Sequence, residues 1–156
     1  MIVIVMGVSG CGKTTIGQLL ALRLGYPFLD ADELHPSANV AKMTAGTPLT
    51  DADRQPWLEL LNGKLRGQDN AVLACSALKE SYRQILSKGL ADCRFVHLRG
   101  DMELIRARMA KRKHRFMPAS LLESQFATLE PPAGALVVEI ARPPERCVED
   151  IASALR

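Results

Sequence analysis

Apolar residues along the chain follow two rhythms. Ile2–Met6 is a short, β-branched, unbroken run that passes directly into Gly7, Gly10 and Gly12, the pattern of a buried strand ending in a tight loop. Pro27–Asp30, Ala71–Ser76, Cys93–Arg99 and Leu136–Ile140 repeat it as four further strands. Between the runs, apolar positions recur at steps of three and four. Ile16, Leu19, Leu20 and Leu24 predict a helix from Lys13 to about Leu24, and Gly25 stands where a helix C-terminus takes a glycine. The same reasoning predicts helices over Val40–Thr44, Asp51–Leu65, Lys79–Ser87, Asp101–Lys113, Pro118–Leu129 and Pro144–Leu155. Thr50 and Asp53 have the spacing of a capping box.

Strands alternating with helices of this length predict an α/β fold in three layers, because parallel strands need a crossover long enough to hold a helix. Ligands are then expected at the carboxyl ends of the strands. No repeat, low-complexity tract or linker divides the chain, so one domain is expected over residues 1–156. Arg112–Pro118 and Glu130–Gly134 interrupt the pattern, as segments that move would.

Composition narrows the function classes. With 47% hydrophobic residues, 156 residues suffice for one buried core. The net charge of +3, from 20 basic and 17 acidic residues, suits an anionic ligand and falls short of a nucleic-acid-binding composition. Cys11, Cys75, Cys93 and Cys147 are too scattered for a zinc site or a disulfide framework, which points to a reducing, cytoplasmic setting. The apolar opening stretch is too short for a signal or a membrane anchor.

Gly7-Val8-Ser9-Gly10-Cys11-Gly12-Lys13-Thr14 matches G-x-x-x-x-G-K-[ST] between a strand and a helix. Such a loop turns backbone N–H groups toward a phosphate, and the helix start adds the positive end of its dipole. Lys13 is expected on the β- and γ-phosphates and Thr14 on Mg²⁺, with Thr15 supporting the helix start. Cys11 has two readings, a thiol made reactive by nearby N–H donors or a small filler.

A P-loop leaves the reaction open. No N-K-x-D guanine-reading sequence occurs, and Ala71–Ser76 lacks the acidic end expected of a motor. A small-molecule kinase fits best. Asp30 and Asp32, two apart where the second strand leaves the sheet, are expected to share a face, one near the metal and the other orienting and deprotonating an incoming hydroxyl. Arg106, Arg108, Lys111, Arg112, Lys113, His114 and Arg115 crowd one region, with Arg108 and Arg112 stacked on one helical face. They are read as part of a lid closing over the phosphates, spanning roughly residues 106–130.

Beyond the P-loop, the chain carries Phe28-Leu29-Asp30-Ala31-Asp32-Glu33-Leu34-His35-Pro36 with Asn39 and Lys42-Met43, then Pro48-Leu49-Thr50-Asp51-Ala52-Asp53-Arg54-Gln55-Pro56-Trp57-Leu58. Cys75-Ser76-Ala77-Leu78-Lys79 with Tyr82-Arg83 follows, then Phe116-Met117-Pro118-Ala119-Ser120-Leu121-Leu122, Ser124-Gln125-Phe126 and Leu129-Glu130-Pro131. In these blocks, over almost its whole length, the chain resembles the gluconate kinases, a branch of the small P-loop kinases. The resemblance implies a P-loop kinase fold, with a five-stranded parallel sheet flanked by helices and a helical lid. It also implies ATP- and Mg²⁺-dependent transfer to the 6-hydroxyl of D-gluconate, with a homodimer suggested.

On that resemblance Lys13, Asp32 and Arg108 are the catalytic candidates, Asp32 as base. Asp32, His35, Lys42, Arg54, Lys79, Arg83 and Gln125 are candidates for gluconate, whose carboxylate wants cations and whose hydroxyls want paired donors and acceptors. Gly7, Ser9, Gly10, Cys11, Gly12, Lys13, Thr14, Thr15, Arg108, Arg112, Arg142 and Pro143 are candidates for the nucleotide, the last two beside adenine. Thr14 and Asp30 are candidates for the metal. Trp57 is expected in the core beneath the substrate helix. The family lid reads Gly-His-Phe where this chain has His114-Arg115-Phe116, so a lid histidine's role is not carried to His114. The competing readings are a kinase for shikimate or another small hydroxy acid, and a regulatory module that binds nucleotide without turnover.

Overall fold

A computed structural model of the chain describes residues 1–111 and 119–155. Five strands, Ile2–Met6 (β1), Phe28–Asp30 (β2), Ala71–Ala74 (β3), Cys93–Arg99 (β4) and Leu136–Glu139 (β5), form one sheet in the order β2-β3-β1-β4-β5. Every pairing is parallel. The helices are Lys13–Leu24 (α1), Ser37–Thr44 (α2), Asp51–Arg66 (α3), Glu80–Ser87 (α4), Met102–Ala110 (α5), Ala119–Thr128 (α6) and Pro144–Ala154 (α7).

The central strand is apolar at every position because both its faces are covered. Val3 and Val5 pack with Ile16 and Leu20 of α1 and with Val148 and Ile151 of α7. Ile2, Ile4 and Met6 point the other way, into Leu58, Leu61 and Leu65 of α3 and Leu86 of α4. Each large side chain buried here contributes about 1.5–3 kcal/mol relative to its exposed state.

Register sets the position of the site. Asp30 pairs with Ala74, Ala74 with Val5, and Val5 with Val96, so four strands reach the same row. The loops after β1, β2 and β3 therefore leave the sheet side by side.

The predicted elements are present with small shifts. α2 begins at Ser37, earlier than the apolar pattern predicts, because its first turn is polar and Pro36 fixes its entry. A short 3₁₀ turn over Ala31–Leu34, absent from the sequence reading, follows β2 directly. Thr50 and Asp53 form the capping box, with Asp53 N–H donating to Thr50 Oγ1 at 3.1 Å and Thr50 N–H donating to Asp53 Oδ2 at 2.9 Å. Among the described residues no helix is long and apolar enough to cross a membrane.

Candidate active site

The loop from Gly7 to Thr14 links β1 to α1. Gly10 and Gly12 have φ of +81° and +97°, values that favour glycine. At Gly10 a side chain has no room either, because an added Cβ would lie 2.7 Å from Met109 Cγ of α5. Gly12 stands at the N-cap of α1 and offers no side-chain cap, and the first turn has no acidic residue, leaving the helix N–H groups and positive dipole end for an anion. Lys13 Nζ donates to the Val8 carbonyl at 3.0 Å, folding back across the loop. Cys11 is fully buried, and its Sγ lies so close to Gly7 that a Cβ there would meet it at 2.7 Å. Packing favours the filler reading for Cys11.

Thr14 Oγ1 donates to Asp30 Oδ2 at 3.1 Å. The other oxygen of the carboxylate, Oδ1, accepts the Asp32 N–H at 3.0 Å and caps the 3₁₀ turn. The shared-face expectation for Asp30 and Asp32 thus fails on geometry, since β2 ends at Asp30 and Asp32 belongs to the turn. What joins them is a hydrogen bond. Asp32 is exposed, and with Lys13 and Asp30 it acts electrostatically on the buried Cys75, so the three charges surround the end of β3. Burial pushes the Cys75 thiol up to about 12, leaving it protonated.

Beyond Asp32, the His35 ring stacks on Trp57 at 4.0 Å and 15°. Trp57 is buried, as expected, and its Nε1–H donates to the Ala31 carbonyl at 2.9 Å. Asn39 Nδ2 donates to the Asp53 carbonyl at 3.0 Å and faces His35 Nδ1 at 3.3 Å. With Nδ1 accepting, the ring proton sits on Nε2. Burial lowers the His35 pKa, against a smaller opposing effect of Asp32, so the ring is neutral near pH 7.

Four side chains close the arc. Tyr82 Oη donates to Asp51 Oδ1 at 2.5 Å, Arg54 Nη1 donates to Tyr82 Oη at 3.2 Å, and Lys79 Nζ lies 3.4 Å from Asp51. Arg54 Nη1 also donates to the Leu49 carbonyl at 3.0 Å. The Tyr82 hydrogen bond is the main cause holding the Asp51 carboxyl below its usual value. Asp51, Tyr82 and Asn39 carried no predicted role. The signal available for Tyr82 was its place one helical turn after Lys79.

Two candidate substrate residues are turned elsewhere. Lys42 Nζ donates to both carboxylate oxygens of Asp53, at 2.9 and 2.8 Å, and so braces α2 against the cap of α3. Arg83 is buried, with Nε donating to Glu80 at 3.1 Å and Nη1 and Nη2 donating to the Ala77 and Glu130 carbonyls at 2.8 Å. Its donors hold the β3–α4 turn, where Ala77 has a φ of +46°. Gln125 meets Ser9 of the P-loop.

On the opposite side of the loop, Gly10, Gly12, Thr15, Arg108, Arg142 and Pro143 line a cleft of about 560 Å³. This brings the predicted nucleotide residues Arg108, Arg142 and Pro143 to one wall. Arg108 Nη2 donates to the Ile140 carbonyl, and Arg142 Nη1 pairs with Asp150 at 2.5 Å. Residues 112–118, with Arg112, Lys113, His114 and Arg115 of the expected lid, lie outside the described residues.

The shikimate kinase family model matches residues 9–128. The chain is 53% identical to a gluconokinase of Gluconobacter oxydans, in a match covering 83% of this chain and 75% of the relative. It is 49% identical to the thermosensitive gluconokinase of Escherichia coli, covering 83% of this chain and 71% of that protein. The crystal structure of a gluconokinase from Sinorhizobium meliloti superposes with a TM-score of 0.88 at 40% identity, over 98% of this chain and 94% of the other.

Proposed function

This chain belongs to the gluconokinases, a branch within the broad shikimate kinase family, and we infer that it transfers the γ-phosphoryl group of ATP to the 6-hydroxyl of D-gluconate. The products are 6-phospho-D-gluconate and ADP. The single observation that carries the substrate is the identity of about half to two gluconokinases over most of the chain. The site agrees with it. Asp32, His35, Arg54 and Lys79 offer a carboxylate, a neutral imidazole and two cations along one arc, donors and acceptors suited to a polyhydroxy acid.

Phosphoryl transfer depends chiefly on positioning and on stabilising charge. The N–H groups at the start of α1 bind the phosphates, and Lys13, steadied across the loop by the Val8 carbonyl, presents its ammonium to the β- and γ-oxygens. Thr14 Oγ1 and Asp30 Oδ2 are hard oxygen donors 3.1 Å apart beside the loop, a pair suited to Mg²⁺, which keeps most of its shell from water and phosphate. When bound, the ion neutralises charge on the phosphates. Asp32 accepts the proton of the attacking hydroxyl, its backbone fixed by Asp30 Oδ1. Arg54 and Lys79 bind the gluconate carboxylate, and Arg142 and Pro143 flank the base in the nucleotide cleft. Lys42 and Arg83 act through structure instead.

The reading extends to a cytoplasmic enzyme that pairs as a homodimer, and sedimentation in solution tests the pairing. ADP release with Mg-ATP, measured against gluconate, shikimate, free sugars and nucleoside monophosphates, tests the substrate. Gluconate is expected to give the highest kcat/KM. A higher value for shikimate would overturn the substrate while keeping the class, and ATP binding without release on any acceptor would favour the regulatory module.

A further inference from the structure

The peptide group between Val8 and Ser9 is held from both sides. Lys13 Nζ donates to the Val8 carbonyl at 3.0 Å, and the Ser9 N–H donates to Gln125 Oε1 at 2.7 Å. Gln125 Nε2 also donates to Ser9 Oγ at 3.0 Å, so both ends of the carboxamide are engaged. Its orientation follows from chemistry, because a backbone N–H only donates and the atom facing it must be the oxygen.

A trans peptide is one rigid plane whose N–H and C=O point in opposite directions. Fixing the Ser9 N–H therefore fixes the carbonyl on which the Lys13 ammonium rests. Gln125 reaches this plane from α6, and the end of α6 is itself anchored. Glu130 N–H donates to the Leu78 carbonyl at 2.7 Å, and Glu130 Oε1 accepts the Glu80 N–H at 2.9 Å. Arg83 Nη2 closes on the Glu130 carbonyl at 2.8 Å. Residues 125–130 thus tie the P-loop to the turn that carries Lys79.

We propose that Gln125 is a positioning residue for phosphoryl transfer, acting through the Val8–Ser9 peptide to hold the Lys13 ammonium over the P-loop, and that it is not a gluconate ligand. The proposal rests on the P-loop kinase reading above. Without the carboxamide the peptide plane is free to turn, the ammonium loses its fixed acceptor, and the lysine reaches the phosphates from a scattered set of positions. Misplacement of a catalytic group lowers turnover more than it lowers substrate affinity.

Two variants separate this from the alternatives. Gln125→Met keeps the length and packing of the side chain but offers no comparable acceptor for the Ser9 N–H, whereas Gln125→Glu keeps an oxygen there. Amide exchange at Ser9, followed by NMR in the ligand-free protein, reads the peptide directly and needs no substrate. Gln125→Met is expected to lose Ser9 protection, lower kcat about tenfold and leave the gluconate KM within about twofold, while Gln125→Glu keeps the protection. A gluconate KM that rises about tenfold with kcat unchanged would overturn the proposal, as would unchanged Ser9 protection in Gln125→Met. If Gln125→Met fails to fold, Gln125→Glu decides alone, protection retained supporting the proposal and protection lost refuting it. A wild-type protein inactive on gluconate but protected at Ser9 would instead fault the substrate reading.

Discussion

The imidazole of His35 lies 4.0 Å from the indole of Trp57 and within 15° of parallel to it. Trp57 is the only tryptophan of the chain, so its emission reports on this ring alone. Burial lowers the His35 pKa from 6.5, and the neutral ring persists below the pH at which a free histidine titrates. Trp57 emission is expected to be quenched with a midpoint below pH 6.5, as the imidazolium forms against the indole. His35→Leu removes the transition. A quenching midpoint at or above 6.5 in the wild type would contradict the assignment. The same shift means that the unfolded chain binds this proton first, so it removes stability as pH falls below 6.5.

Asp32→Asn keeps the shape of the side chain and removes the proton acceptor. It is expected to lower kcat on the order of a hundredfold, about 2.7 kcal/mol, with ATP affinity nearly unchanged. Steady-state kinetics beside nucleotide titration checks this, and a near-normal kcat would remove Asp32 from the role of base. Lys13→Ala, in contrast, is expected to damage phosphate positioning itself, and an unchanged transfer rate would undo the P-loop assignment.

The pair between Lys42 and Asp53 predicts an acid-sensitive step. The Lys42 hydrogen bond, with the Thr50 N–H behind it, lowers the Asp53 carboxyl from 3.8 to about 2. A carboxylate depressed by folding contributes stability that is full above its unfolded pKa and is lost as pH falls through the folded one. Denaturant unfolding of the wild type and Asp53→Asn should therefore differ near pH 7 and converge between about pH 4 and pH 2. Parallel curves over that window would show that the pair contributes nothing.

Arg83→Met tests the structural role of a cation that the sequence pattern alone places among the substrate ligands. The change leaves the Ala77 and Glu130 carbonyls without their guanidinium donors, at a cost of about 1–3 kcal/mol for the buried Ala77 carbonyl. Thermal unfolding is expected to move to lower temperature. An unchanged Tm with a raised gluconate KM would return Arg83 to the substrate.

The sheet was legible because parallel strands buried on both faces read as unbroken apolar runs, as β1 does. The P-loop was legible because its chemistry is local, with the glycines, Lys13 and Thr14 adjacent in sequence. Asp30 and Asp32 were identified but their geometry was misread, since a strand of three residues carries no periodicity that shows where it ends. Lys42 and Arg83 looked like ligands for a physical reason as well. A cation in a sequence does not show which acid or carbonyl will meet it, and Asp53 and Glu130 lie 11 and 47 residues away. Gln125 and Ser9 are 116 residues apart, and only the fold brings them together.

The most direct test of the account is the structure of the product formed from Mg-ATP and D-gluconate, read by ¹H–³¹P correlation NMR alongside the amount of ADP released. The account predicts one phosphoryl group per ADP, with phosphorus coupled to the protons on C6. Phosphorylation at another hydroxyl, or ADP release without a phosphorylated sugar acid, would contradict it.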